Sequence, residues 1–225
     1  MKSQDTRNLD QYREIYSQPG TYGKSSARKA DEVWGILTAL AALEAEGQLS
    51  VLDFGCGRSN LIDLLEEKDA AADQRFAFHR YDPAIPEYSS CPLTEADFVI
   101  NTDVLEHLDE NEIDLLLTDI FRISGNCYFR VSTRAAKTIL PSGENAHATV
   151  QNSDWWVARM RPYAKHLTVL PSKPDQLIVL AHERPELGAA VLKSSKGGGL
   201  WTRLKGLFAA KTGDVSKRRG KGAQA

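Results

Sequence analysis

Four short runs of β-favouring apolar residues, each separated from the next by a segment of different character, predict an α/β protein with a doubly wound, mostly parallel sheet. The runs are residues 51–54, 76–81, 97–101 and 127–132. Two observations set the class. Gly55 and Gly57 end the first run abruptly, and Leu61, Ile62, Leu64 and Leu65 then change the apolar period from strand to helix. After the third run, Ile113, Leu116, Leu117, Ile120 and Phe121 again recur at helical spacing, behind a capping box of Asp109 and Glu112. In such a sheet a ligand lies at the carboxyl ends of the strands.

Composition bounds the rest. A chain of 225 residues suits one domain with appendages and can bury a substantial core. An apolar fraction of 42% with 26% charged residues is ordinary for a soluble globular protein. Cys56, Cys91 and Cys127 are scattered, with no C-x-x-C spacing, so a reduced, cytoplasmic setting without structural zinc is expected. The first residues are polar and charged, which argues against a secretory segment, and no apolar run is long enough to span a bilayer.

Ahead of the first strand, residues 1–26 carry Tyr12, Tyr16 and Tyr22, and Val33, Ile36, Leu37, Leu40 and Leu43 predict a helix over 27–46 that Gly47 ends. The turn after the first strand reads Asp53-Phe54-Gly55-Cys56-Gly57, with Ser59 or Asn60 available to cap the next helix. Such a turn exposes backbone N–H groups and lets a ligand approach closely. A dinucleotide fingerprint would need a third glycine at Asn60, and the Gly-Lys-Ser/Thr of a phosphate loop is absent.

The D-x-G-x-G pattern resembles the first motif of the class I S-adenosylmethionine (SAM) methyltransferases. The run Asp103-Val104-Leu105-Glu106-His107-Leu108 resembles the segment after the fourth strand in a small-molecule subgroup of that family. The resemblance implies a Rossmann-like, seven-stranded, mostly parallel sheet. Here the third unit, residues 84–96, is eroded, and strands over 166–170 and 176–181 form the antiparallel hairpin that closes the sheet. It implies SAM as cofactor. Gly55 and Gly57 would receive its amino-acid end, Asp53 would lie near its ammonium, and Asn101 and Asp103 would stand beside the methionine moiety. Asp82 would hold the ribose, because a carboxylate at the end of a second strand accepts from both vicinal hydroxyls. An aromatic N-terminal segment covers the cofactor in this family, which makes Tyr22 a contact; a surface arm docked by its tyrosines is the other reading.

Residues 134–165 interrupt the alternation, and in the family this insert builds the acceptor pocket. Ser153 or Asp154 can cap a short helix there carrying Trp155 and Trp156. A hydroxyl acceptor needs a base, and a histidine neutral near pH 7 suits the task. His147 in the insert is the first candidate, followed by Glu144 and His107. Against these roles, His147 reads as an ordinary loop residue and Glu106 and His107 as partners of nearby backbone. No spaced His/Asp/Glu set points to a metal.

The domain reading is thus an N-terminal helical cover over 1–48, a SAM-binding domain over 49–185, and a basic flexible tail over 186–225. In the tail, Leu200, Trp201, Leu204, Leu207 and Phe208 give residues 200–211 one apolar face beside a polybasic stretch at 217–221. A basic amphipathic helix fits an anionic membrane surface, which would place the protein at the inner face of the membrane. A helix docked on the protein itself, a nucleic-acid arm and a disordered tail are the competing readings. The function expected is methyl transfer to a hydroxyl of a small molecule or a glycan- or lipid-linked sugar. The alternatives are a nucleic-acid methyltransferase recruited by the tail and a SAM-binding scaffold without turnover. Asn101-Thr102-Asp103-Val104 lacks the Pro-Pro-aromatic signature of base-amine enzymes.

Overall fold

The computed structural model describes residues 9–17 and 27–196. Tyr22 and residues 200–221 lie outside the described residues, and with them the aromatic cofactor contact and the tail helix expected from the sequence.

Six strands form one mixed sheet. They are β1 (Leu49–Phe54), β2 (Phe76–Tyr81), β3 (Phe98–Thr102), β4 (Cys127–Ser132), β5 (His166–Leu170) and β6 (Gln176–His182), in the order β2-β1-β3-β4-β6-β5. The pairs among β1 to β4 are parallel, while β6 pairs antiparallel with both β4 and β5. The helices are α1 (Leu9–Ser17), α2 (Ala27–Ala41), α3 (Leu61–Ala70), α4 (Glu110–Ile123), α5 (Ser153–Met160) and α6 (Pro185–Lys196). The seventh strand is not among the described residues. Between β2 and β3 the chain makes one 3-10 turn, Pro86–Tyr88, with Pro86 removing a donor that a ladder would need.

A strand with helices on both faces must be apolar on alternate residues in both directions, and β1 is. Val51 joins the core formed by α2, α3 and α6, with Val33, Ile36, Leu61, Ile62, Leu187 and Val191. Leu52 and Phe54 join the opposite core with Ile113, Leu117 and Ile120 of α4 and Trp156 and Met160 of α5. The result is a three-layer sandwich whose parallel strands all direct their carboxyl ends to one side.

Several local expectations shift for physical reasons. The capping box of α4 forms, with Asp109 and Glu112 each meeting the other's backbone N–H. Helix α2 ends at Ala41, short of the sequence reading, and the chain passes through turns to Gly47 at φ 136°. Asn152, rather than Ser153 or Asp154, caps α5, its side chain accepting from the Trp155 N–H at 2.9 Å. The tail expected from residue 186 begins as ordered helix: α6 buries Leu187 and Val191 completely or nearly so against the α2 side of the sheet. Among the described residues no helix is long and apolar enough to cross a membrane.

Candidate functional site

At the carboxyl ends of the parallel strands lies a cavity of about 610 Å³, within the usual range for small-molecule sites. Gly55 after β1, Asp82 after β2 and Asp103 after β3 line it. Tyr12 and Tyr16 of α1 and residues of the loop after β4, His147 among them, line it as well.

Asp82 organises one end. Its Oδ2 accepts the Gly57 N–H at 2.8 Å and its Oδ1 accepts the Ala84 N–H at 2.8 Å. Burial holds the carboxyl's pKa above the usual carboxylate value, and these two N–H groups offset only part of that rise. A carboxylate has two lone pairs on each oxygen, so one on each remains after these bonds.

The main chain at the glycines is not bare, which corrects the sequence reading. Gly55 and Cys56 both donate to the Tyr81 carbonyl, at 2.7 and 3.1 Å, and Gly57 donates to Asp82. The glycines are needed for a different reason. Gly55 has φ 84°, and a β-carbon there would stand 2.6 Å from Val104 Cγ2; at Gly57, φ 50°, it would stand 2.9 Å from the Tyr16 hydroxyl. Gly55→Ala combines left-handed strain with a clash inside packed side chains. It should cost about 1–3 kcal/mol, read as a lowered midpoint in chemical denaturation. A midpoint equal to the parent's would show that Val104 yields freely.

Asp53, Gly57 and Asn101 do not line the cavity. Asp53 is 1% exposed, and its Oδ1 has no hydrogen-bond partner among the described residues. Burial pushes its carboxyl up to about 7, opposed by Lys29 and assisted by the negative Asp82. Asn101 is fully buried and donates from Nδ2 to the Phe54 carbonyl at 2.8 Å, tying β3 to the end of β1; its Oδ1 accepts nothing among the described residues. Asp103 stands at φ 57° and meets Lys29 of α2 at 2.8 Å and Arg130 of β4 at 3.7 Å.

The other end is built from the short 3-10 turn Leu105–His107 and the loop 134–147. Glu106 is fully buried; its Oε1 accepts the Ser132 N–H at 2.8 Å and its Oε2 accepts nothing among the described residues. Burial first, and the neighbouring Asp103 second, push its carboxyl up to about 8. His107 Nδ1 lies 2.8 Å from the Ala146 carbonyl and 2.6 Å from the Tyr12 hydroxyl. Burial, then His147, push its pKa down to about 4, so the ring is neutral at physiological pH. His147 Nδ1 lies 2.6 Å from the Arg134 carbonyl. Carbonyl oxygens only accept, so in both rings Nδ1 carries a hydrogen, and Nε2 is the nitrogen whose lone pair the neutral ring presents. The rings meet edge to face, with centroids 4.8 Å apart.

Asn145 holds this loop in place: its Oδ1 accepts from the Ala136 and His147 N–H groups at 2.9 and 3.0 Å, and its Nδ2 donates to the Ala136 carbonyl at 2.9 Å. Glu144 stands apart, exposed and bonded to Ser142 at 3.2 Å, and does not line the cavity. Trp156 is fully buried in the α5 side of the core with Trp155 packed beside it, so the tryptophan pair serves the fold and not the cavity.

Residues that sequence reading passed over include Lys29, whose charge reaches Asp53, Asp103 and Glu106 from another helix. Arg130 and Ser132 on β4 are others. Only the last could have been suspected, from its place at a strand's carboxyl end.

No family model matches the chain. No curated protein matches it either. Among solved structures, it is similar to DhpI in a complex with SAM and HEP, at 14% identity over 78% of this chain and 96% of that one, TM-score 0.47. It is similar also to the Burkholderia thailandensis 1,6-didemethyltoxoflavin-N1-methyltransferase, at 15% identity over 77% and 88%, TM-score 0.42. A third is the N-terminal domain of EvdMO1 with S-adenosylhomocysteine bound, at 14% identity over 67% and 81%, TM-score 0.42. What those proteins bind belongs to them; for this chain the cavity's own residues carry the reading.

Proposed function

We propose that this chain is a SAM-dependent methyltransferase acting on a hydroxyl of a small molecule or of a glycan- or lipid-linked sugar. One observation carries the reading: at the end of β2, Asp82 is fixed by two backbone N–H groups at the cavity wall and keeps a lone pair on each oxygen. Such a group suits the vicinal hydroxyls of a ribose, with no reorganisation needed on binding. The cofactor, when bound, supplies a methyl group on a sulfonium centre, already activated for displacement.

The residues of this chain then have three tasks. Asp82 would hold the sugar, and Gly55 and Asp103 would border the same end of the cavity. Tyr12 and Tyr16 would cover the site and exclude water, and the Tyr16 hydroxyl over Gly57 must move if the cofactor reaches that glycine. At the far end His147, with its Nδ1–H held by the Arg134 carbonyl, has Nε2 free to meet an acceptor hydroxyl. His107, held near a neutral state by burial, is a weaker base and a better wall.

Calorimetric titration with SAM tests the cofactor, and labelled SAM with fractionated extract tests the acceptor. His147→Ala should leave SAM affinity unchanged and lower turnover at least tenfold, within the range ascribed to a positioned proton acceptor. Full turnover in that variant removes His147 from the chemistry, and no heat of SAM binding to the parent removes the whole reading.

A further inference from the structure

Three side chains the sequence leaves unconnected converge on one point. Glu106, His107 and His147 each present a ligand atom, and these atoms lie within 4.8 Å of one another. All three residues line the same cavity. In both histidines Nδ1–H is directed to a backbone carbonyl, Ala146 for His107 and Arg134 for His147. That is the outer-sphere arrangement that fixes the tautomer of a metal-binding imidazole and leaves Nε2 to the ion. The third group is the fully buried Glu106, whose Oε2 accepts no hydrogen bond among the described residues although its Oε1 is satisfied by the Ser132 N–H. A buried carboxyl oxygen with no protein partner among the described residues, raised towards holding a proton and close to two imidazoles, is a place where a cation can stand in for that proton.

We propose that Glu106, His107 and His147 form a binding site for one divalent transition-metal ion. Two imidazoles and one carboxylate make a three-ligand set that leaves coordination positions open, and imidazole favours zinc, iron and their neighbours over magnesium or calcium. Ligands of a tetrahedral ion at about 2.1 Å stand roughly 3.4 Å apart, so closure asks for side-chain movement on the order of an ångström. The loop that carries His147 is pinned by Asn145 at three hydrogen bonds, which holds the third ligand near the first two. The open positions belong to the cavity, where an oxygen of the acceptor can bind. In that role, which rests on the methyl-transfer reading, His147 is a ligand to the ion in place of a base. Ion binding itself does not depend on that reading.

The test uses the full, tag-free chain stripped with chelator and titrated with Co²⁺, followed by its visible absorption, and with Zn²⁺ by calorimetry. One equivalent per chain is expected for each ion, with cobalt bands typical of mixed nitrogen and oxygen ligation. His147→Ala, a change on a partly exposed loop, should lower affinity at least tenfold while thermal unfolding stays that of the parent. Glu106→Gln should also lower affinity at least tenfold, and His79→Ala, on strand β2 and outside the cavity lining, should bind like the parent. Less than a tenth of an equivalent bound by the parent overturns the site, as does equal binding by parent and His147→Ala. SAM titration of the stripped protein runs separately, so loss of metal binding with SAM binding intact removes only the ion, and the reverse removes only the cofactor.

Discussion

Asp82→Ala should lower SAM affinity about 100-fold or more. Two hydrogen bonds from ribose hydroxyls to this carboxyl group contribute on the order of 1.5–3 kcal/mol each where it is charged, and 1.4 kcal/mol is a factor of ten. The same change removes the acceptor for the Gly57 and Ala84 N–H groups, both drawn to this carboxylate at 2.8 Å. Each donor left without a partner costs about 1–3 kcal/mol, so the variant should also unfold at a lower temperature. The two effects separate by comparison with Leu61→Ala. Leu61 is fully buried in the α3 side of the core and does not line the cavity, so its truncation destabilises without touching the site. Titrated well below both unfolding midpoints, Leu61→Ala should bind SAM like the parent. An Asp82→Ala affinity equal to that of Leu61→Ala would take Asp82 out of the site.

The position of Asp82 was legible because two local signals agree in it. A run of β-favouring residues ends at an Asp-Pro pair, and a glycine turn stands where a parallel neighbour must end; the β1–β2 register, Phe54 opposite Tyr81, brings them together. The strands and α4 were legible for the same reason, since period and boundary residues pointed one way. The chemistry of the turn was not. Whether a backbone N–H is free depends on which carbonyl stands opposite, and the Tyr81 carbonyl that takes two of them belongs to another strand. The meeting of Glu106, His107 and His147 was hidden too, because 39 positions, taking in α4, β4 and the loop after it, separate His107 from the Ala146 carbonyl that it bonds. Helix α6 was misread for a compositional reason. Lys193 and Lys196 blend into the basic tail, and the burial of Leu187 and Val191 depends on the α2 face waiting for them.

Asp53→Asn should change the pH dependence of stability more than any other single substitution in β1. The carboxyl ionises near 3.8 in the unfolded chain and at about 7 in the fold, where burial is the main cause and Lys29 only partly offsets it. The folded state therefore binds the extra proton between those two values. The sign follows: this contribution to stability is fully present below the unfolded value, falls as pH rises, and is lost once the folded group ionises near 7. A shift of about three units corresponds to an order of 4 kcal/mol across the whole window, of which the larger part lies between pH 5 and 8. Asparagine has the same shape and no proton to lose. Glu106, whose carboxyl is also raised, is present in both proteins and cancels in the difference. At pH 5 parent and variant should unfold within a few degrees of each other. At pH 8 the variant should unfold higher relative to the parent by roughly 5–10 °C, given about 2–4 °C per kcal/mol for a chain of this size. Lys29→Met in the parent should carry the loss to higher pH and enlarge it, because it removes the charge that opposes burial at both Asp53 and Glu106. A difference between parent and Asp53→Asn that stays constant from pH 5 to 8 would mean that this carboxyl does not change its ionisation across that range, and that the buried oxygen without a donor carries a charge some other group already balances.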